Sequence, residues 1–193
     1  YEQARPALPD RDIFDDLKLV LVADEAVPDA LTDALESAGV EIVTSSADAA
    51  EDALADASAD GLLWYVGDDC DDELELYWRA HRLAATLYEV SDEPRVFAIL
   101  SSLGHEHLVR GEAPWADGLA AFAQSLAREW TTTRIKYIDA TDTYEEAVRE
   151  LRTPAKDVVA HYEGSRRWLT GLKEAPFGDA PIEWDQDDVI VVT

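Results

Sequence analysis

From residue 18 to residue 151 the chain repeats one pattern: a short apolar run, then a longer stretch whose apolar residues recur at helical spacing. The short runs fall at 18–23, 40–44, 62–66, 95–100 and 135–138, and the helical stretches at 27–38, 47–57, 71–90, 115–130 and 144–151. Gly39 reads as the C-cap of the first helix. In the 71–90 stretch, Leu74, Trp78, Leu83, Leu87 and Val90 are expected on one broad apolar stripe. Such alternation restricts the fold to α/β, because strands joined by right-handed helical crossovers make a parallel sheet covered on both faces. The pattern then changes. Residues 157–162 and 165–172 flank Glu163-Gly164 and read as a β-hairpin with glycine at the turn. A proline-containing crossing, 175–181, leads to Val189-Ile190-Val191-Val192-Thr193, a run suited to a fully buried parallel strand.

The expected organisation is a linker at 1–17, carrying Pro6 and Pro9, a main unit at 18–172, and a crossing segment with its strand at 173–193. A chain of 193 residues, 47% hydrophobic, is enough for one core. Its 42 acidic residues against 16 basic ones give a net charge of -26, which excludes nucleic acid and anionic membranes as partners, since phosphate contacts need Lys and Arg. The acids are mixed with Ala, Leu and Trp along the chain, so they belong to a globular surface and not to a tail. The excess suits a salt-rich cytoplasm, where screening confines repulsion to about 3 Å at 1 M salt, and equally an ordinary acidic protein. Cys70 is the single cysteine, which rules out an internal disulfide or a CxxC metal site and points to a reducing cytoplasm. No apolar run nears the roughly 20 residues needed to cross a bilayer, and no signal pattern opens the chain. A start at Tyr1 instead of Met suggests a segment of something longer.

Three kinds of site are conceivable on such a fold. A dinucleotide loop would follow the first strand, but Ala23-Asp24-Glu25-Ala26-Val27-Pro28 has no glycine and sets two carboxylates where phosphate would sit. A receiver-type phospho-acceptor pocket would draw on Asp24 and Glu25 after the first strand, Asp68 and Asp69 after the third and Ser101 after the fourth, with Mg²⁺ on the oxygens. It lacks the lysine such a pocket needs after the fifth strand, where Asp139-Ala140 stand instead; Lys136 lies within the strand. Helix capping accounts for Asp24, residues 68–72 and Asp142 without any such role. A short-chain-dehydrogenase site would need a Tyr and a Lys where Trp115 and Leu119 stand, neither of which can move a proton. His105 and His107 are too few for a metal set, His81 and His161 stand alone, and the six Trp residues read as core and interface anchors.

One resemblance gathers these features. Glu112-Ala113-Pro114-Trp115-x-x-Gly118-Leu119, then Leu126-Ala127-Arg128-Glu129-Trp130 and Ile138-Asp139, resembles the P-x-W-G-L-G-R…E-H-P…D-L stretch of the structural subdomain in ketoreductases of polyketide and related fatty-acid synthases. Residues 158–172 are similar to that family's E-v-A-y-R-x-G-x-R-x-v-x-R-L segment, and the ending Val-Ile-Val-Val-Thr looks closest to the polyunsaturated-fatty-acid and enediyne type. The chain departs from the pattern at Asp117, where Gly often follows the Trp, and at Trp130-Thr131, in place of His-Pro. The resemblance implies a truncated Rossmann-like sheet with a C-terminal hairpin and a last strand leading into a missing catalytic subdomain. It also implies that this half holds no catalytic, cofactor or metal residue. The following half would bind NADPH and reduce β-ketoacyl groups on an acyl carrier protein. The expected partners are therefore that catalytic subdomain and the carrier protein. The alternative is a stand-alone receiver-like signalling module using Asp24, Glu25 and Asp68.

Overall fold

The computed structural model describes residues 2–4, 14, 16–23, 25–67, 72–104, 113–153 and 157–169. Among them, eight strands make one sheet: β1 (Glu2–Ala4), β2 (Lys18–Ala23), β3 (Glu41–Ser45), β4 (Gly61–Val66), β5 (Val96–Ser101), β6 (Arg134–Ala140), β7 (Val159–Glu163) and β8 (Arg166–Leu169). Their order is β1-β8-β7-β6-β5-β4-β2-β3. The strands from β7 across to β3 run parallel, β8 returns antiparallel along β7, and β1 pairs antiparallel with β8. Five helices cover it: α1 (Asp29–Ser37), α2 (Ala50–Ala57), α3 (Glu73–Val90), α4 (Pro114–Glu129) and α5 (Tyr144–Leu151). The fold is α/β and Rossmann-like, with an antiparallel hairpin closing the parallel run.

The strands are apolar on both faces because both faces are covered. Val20, Val22, Leu62, Trp64, Phe97 and Ile99 pack beneath α2, α3 and α4; Leu19, Leu21, Leu63, Ala98, Leu100 and Ile138 pack beneath α1 and α5. Strict alternation along β2, β4 and β5 divides the two cores. Pro114 opens α4 at a position where a missing N–H costs nothing. Asp72 caps α3, accepting from the amides of Leu74 at 3.0 Å and Glu75 at 3.1 Å.

The direction of the chain exposes one irregularity. From β2 it steps outward to β3 through α1, then returns past β2 and proceeds steadily to β4, β5, β6 and β7. A reversal of direction at constant hand moves the helices to the opposite face, and α2, α3 and α4 do lie opposite α1. α5 does not: Tyr144, Ala147, Val148 and Leu151 pack on the α1 face. The β6-α5-β7 crossover therefore has the opposite hand to the other crossovers, an arrangement found in about 2% of such units. Something specific must hold it there.

Several expectations are corrected. The stretch read as a linker supplies β1 and two core residues, Phe14 and Leu17. Residues 47–57 split into a single 3₁₀ turn, Ala47–Ala49, and α2. The hairpin turn is Gly164-Ser165, Glu163 pairing with Arg166, and Gly164 takes φ +57°, as the first position of a II′ turn requires. Asp142 caps nothing: Thr143 holds the N-cap position of α5, and Asp142 precedes it with φ 55°. The stripe expected on α3 divides, Leu83 and Leu87 facing the core while Leu74, Trp78 and Val90 face solvent. The crossing segment, the last strand, Asp24, residues 68–71 and residues 105–112 lie outside the described residues.

At Gly61, where β4 begins, an added Cβ would lie 2.8 Å from the Val96 carbonyl oxygen and 3.1 Å from its Cβ. The obstacle is backbone of the adjacent strand, which cannot swing aside. Gly61→Ala is expected to lower stability by about 1–3 kcal/mol, read as a drop in denaturant midpoint at unchanged slope; an unchanged midpoint would contradict this packing.

Candidate functional site

In α/β sheets ligands bind at the carboxyl ends of the strands where the strand order reverses. Here that point lies between β2 and β4. After β2 comes Glu25, and after β4 comes Gly67; a Cβ on Gly67 would lie 2.6 Å from Glu25 Oε2. The carboxylate thus lies over the bare glycine backbone, on the ground a phosphate would need. Like charge and occupied space both act against an anion at this point.

Further along the same edge several polar groups bind one another. Ser101, the last residue of β5, donates from Oγ to Asp139 Oδ1 at 2.7 Å, which leaves the Tyr137 hydroxyl to donate to Ser101 Oγ at 3.0 Å. The Gly104 amide donates to the same Asp139 oxygen at 3.1 Å, and Thr141 Oγ1 donates to the Ser102 carbonyl at 2.9 Å. Ser101 and Asp139 are wholly buried. His161 stands opposite Asp139 in the β6–β7 register, its ring 6.1 Å from that of Tyr137. This group ties the loop after β5 to the end of β6. Of the residues expected in a receiver pocket, Glu25 and Ser101 are described, and β4 separates the strands that carry them. Trp115 and Leu119 are buried in the core beneath α4.

On the other face lies a buried charge cluster that sequence reasoning missed. The Glu150 carboxylate, on α5, accepts from Arg167 Nε at 2.6 Å and Nη2 at 2.8 Å, from the Tyr162 hydroxyl at 2.7 Å and from Lys136 Nζ at 3.0 Å. Lys136 also donates to Thr153 Oγ1 at 2.7 Å and to the Asp157 carbonyl, while Arg167 reaches Asp157 Oδ2 at 3.2 Å. Four elements, α5, β6, β7 and β8, meet on one carboxylate. Burial alone would raise the Glu150 carboxyl, but the Arg167 hydrogen bonds and the Lys136 charge hold it down at about 2. Burial, then the Glu150 charge, raises the Tyr162 phenol, which keeps it a donor. Lys136, the lysine nearest to a receiver's phosphate-holding position, is committed to this cluster. A signal was present in the sequence: a lysine between Ile135 and Tyr137 in a strand covered on both faces demands a buried acid.

A cleft of about 770 Å³ runs between α1, α5 and the hairpin turn, lined by Asp33, Ser37, Tyr144, Glu145, Arg149 and Arg152. Its cations serve their own neighbours: Arg149 pairs with Glu146, and the Arg152 guanidinium lies 5.2 Å over the Phe14 ring. Among the described residues no group of three His, Cys, Asp or Glu side chains is placed to hold a metal, and no helix is long and apolar enough to cross a membrane.

No family model and no curated protein matches the chain. A solved structure similar to it, that of BdcA from E. coli, covers 74% of this chain and 94% of its own at 16% identity, with a TM-score of 0.48.

Glu150→Gln leaves two buried cations short of a counter-charge and is expected to cost about 3–5 kcal/mol at pH 7. Because the folded chain holds Glu150 near 2 instead of its usual 4.5, its contribution is complete above the higher value and lost as pH falls through the lower. The gap between wild type and Glu150→Gln in urea unfolding should therefore shrink by about 2 kcal/mol between pH 7 and pH 3. A gap that is the same at both would show that Glu150 is not ionised in the fold.

Proposed function

We propose that this chain is the noncatalytic structural half of a ketoreductase in a cytoplasmic polyketide or polyunsaturated-fatty-acid-type synthase. In this reading it braces a second half in the same polypeptide, which uses NADPH to reduce β-ketoacyl groups on an acyl carrier protein. The observation that carries the reading is how the described residues occupy the carboxyl edge of the sheet. Glu25 covers Gly67 where a pyrophosphate would rest, and Ser101 is bound to Asp139 and Tyr137 instead of facing a substrate. A Rossmann-like sheet whose described edge residues bind one another is suited to support and ill suited to turnover.

Two further features agree with it. Trp115 and Leu119 are core residues of α4, so nothing at those positions can deliver a proton to a carbonyl. The hairpin carrying the family-like segment is fastened through Arg167 and Tyr162 to Glu150, which fixes it against α5.

The reading frame of the parent gene tests this directly. Past Thr193 it should run into a glycine-rich loop and, further on, a Tyr-x-x-x-Lys; a stop codon immediately after Thr193 would contradict the proposal. The purified chain should also show no saturable NADPH binding up to about 1 mM by calorimetry, and micromolar binding would be incompatible with it.

A further inference from the structure

Among the described residues, the large apolar side chains left in solvent all belong to α3: Leu74 is 65% exposed, Trp78 59%, Tyr88 63% and Val90 39%. They are not scattered. Leu74, Trp78, His81, Ala85 and Tyr88 are all exposed and follow one another at intervals of four, three, four and three residues, the spacing of a coiled-coil seam. The seam runs about 21 Å along the helix at 1.5 Å per residue. Its aromatic groups are held in place: the Trp78 and His81 rings meet edge to face at 6.5 Å, and the Tyr88 ring leans on Trp130 at 5.4 Å. The opposite side of the helix is already spent, with Ala80, Leu83, Ala84 and Leu87 in the core.

The exposed charge on α3 and on the helices packed beside it is mainly acidic. Asp52 and Asp56 on α2, Glu73 and Glu89 on α3 and Asp117 on α4 are all exposed. The two arginines of α3, Arg79 and Arg82, both turn to Glu75, at 3.7 Å and 2.8 Å. An apolar seam on a mainly acidic face of a chain of net charge -26 matches a helix that is apolar along one stripe and basic along its flanks.

We propose that the outer face of α3 is the docking site for a basic amphipathic helix of a partner protein, seated in register on Leu74, Trp78 and Tyr88. A second copy of this chain fits less well. Pairing α3 with α3 would bring together two molecules of net charge -26. The proposal does not depend on the scaffold reading, because it concerns a different face and a different observation.

The probe is a synthetic three-heptad peptide with Leu at the seam positions and Lys at the flanks, fluorescently labelled and titrated with the full chain at about 0.15 M salt. A peptide of the same composition with scrambled order is the control. The patterned peptide should bind and the scrambled one much more weakly. Trp78→Ala should weaken binding about tenfold or more, with Leu74→Ala as a second variant; both sites are exposed, and circular dichroism checks that each variant is folded. Equal binding of the two peptides, or equal binding by wild type and both variants, would overturn the proposal in favour of diffuse charge attraction. No binding at all would overturn it as well. So would concentration-dependent dimerisation of the wild type that Trp78→Ala abolishes, since the face would then belong to a second copy.

Discussion

One buried carboxylate decides how the second half of this molecule is arranged. Glu150 sits on the helix whose crossover has the unfavoured hand, and it binds the three strands on which that helix lies, through Lys136 of β6, Tyr162 of β7 and Arg167 of β8. Isolated in the protein interior, such a charge would carry a penalty of several kcal/mol. Surrounded by two cations, a phenol and a threonine hydroxyl, it becomes a fixed point instead. The cluster is satisfied only when α5, the hairpin and β6 are all in place, so it selects this crossover over the commoner one in which α5 would lie on the far face and Glu150 would have no partners.

The same economy of polar groups governs the carboxyl edge. Sheets of this kind ordinarily leave backbone amides and small residues free at the reversal of strand order, and ligands take them. Here the molecule uses them itself. Asp139 takes the Ser101 hydroxyl and the Gly104 amide, and Glu25 lies over Gly67. A net charge of -26 adds a long-range field unfavourable to anions. Among the described residues, the large apolar side chains left in solvent lie elsewhere, on α3.

Much of the fold was legible because each strand and helix declares itself locally. The apolar runs at 18–23 and 62–66 became strands with almost those limits, and Tyr144–Leu151 was placed to the residue. What was not legible depends on three-dimensional context. Glu2–Ala4 looks like linker because a short edge strand has no periodicity of its own; it exists because β8 offers free hydrogen-bonding groups. Leu74 and Trp78 share one apolar stripe with Leu83 and Leu87 in sequence, and hydrophobicity alone cannot say which part of it the sheet covers. Glu150 hides among the acids of an acidic chain, and Lys136 was its only legible trace. Ser101 stands out in sequence as the residue ending a strand, but nothing local marks Asp139 as its partner, because the two are brought together only by the pairing of β5 with β6.

The central claim is that Glu150 binds α5, β6, β7 and β8 into one cooperative unit. Native-state hydrogen exchange measures this directly, amide by amide, in the unaltered protein. The amides of α5 should open with the same free energy as those of β6 and β7, in a single event that includes β8. Exchange of α5 at a much lower free energy, while β6 and β7 stay protected, would mean that the helix is only laid against the sheet and that the buried carboxylate holds nothing together.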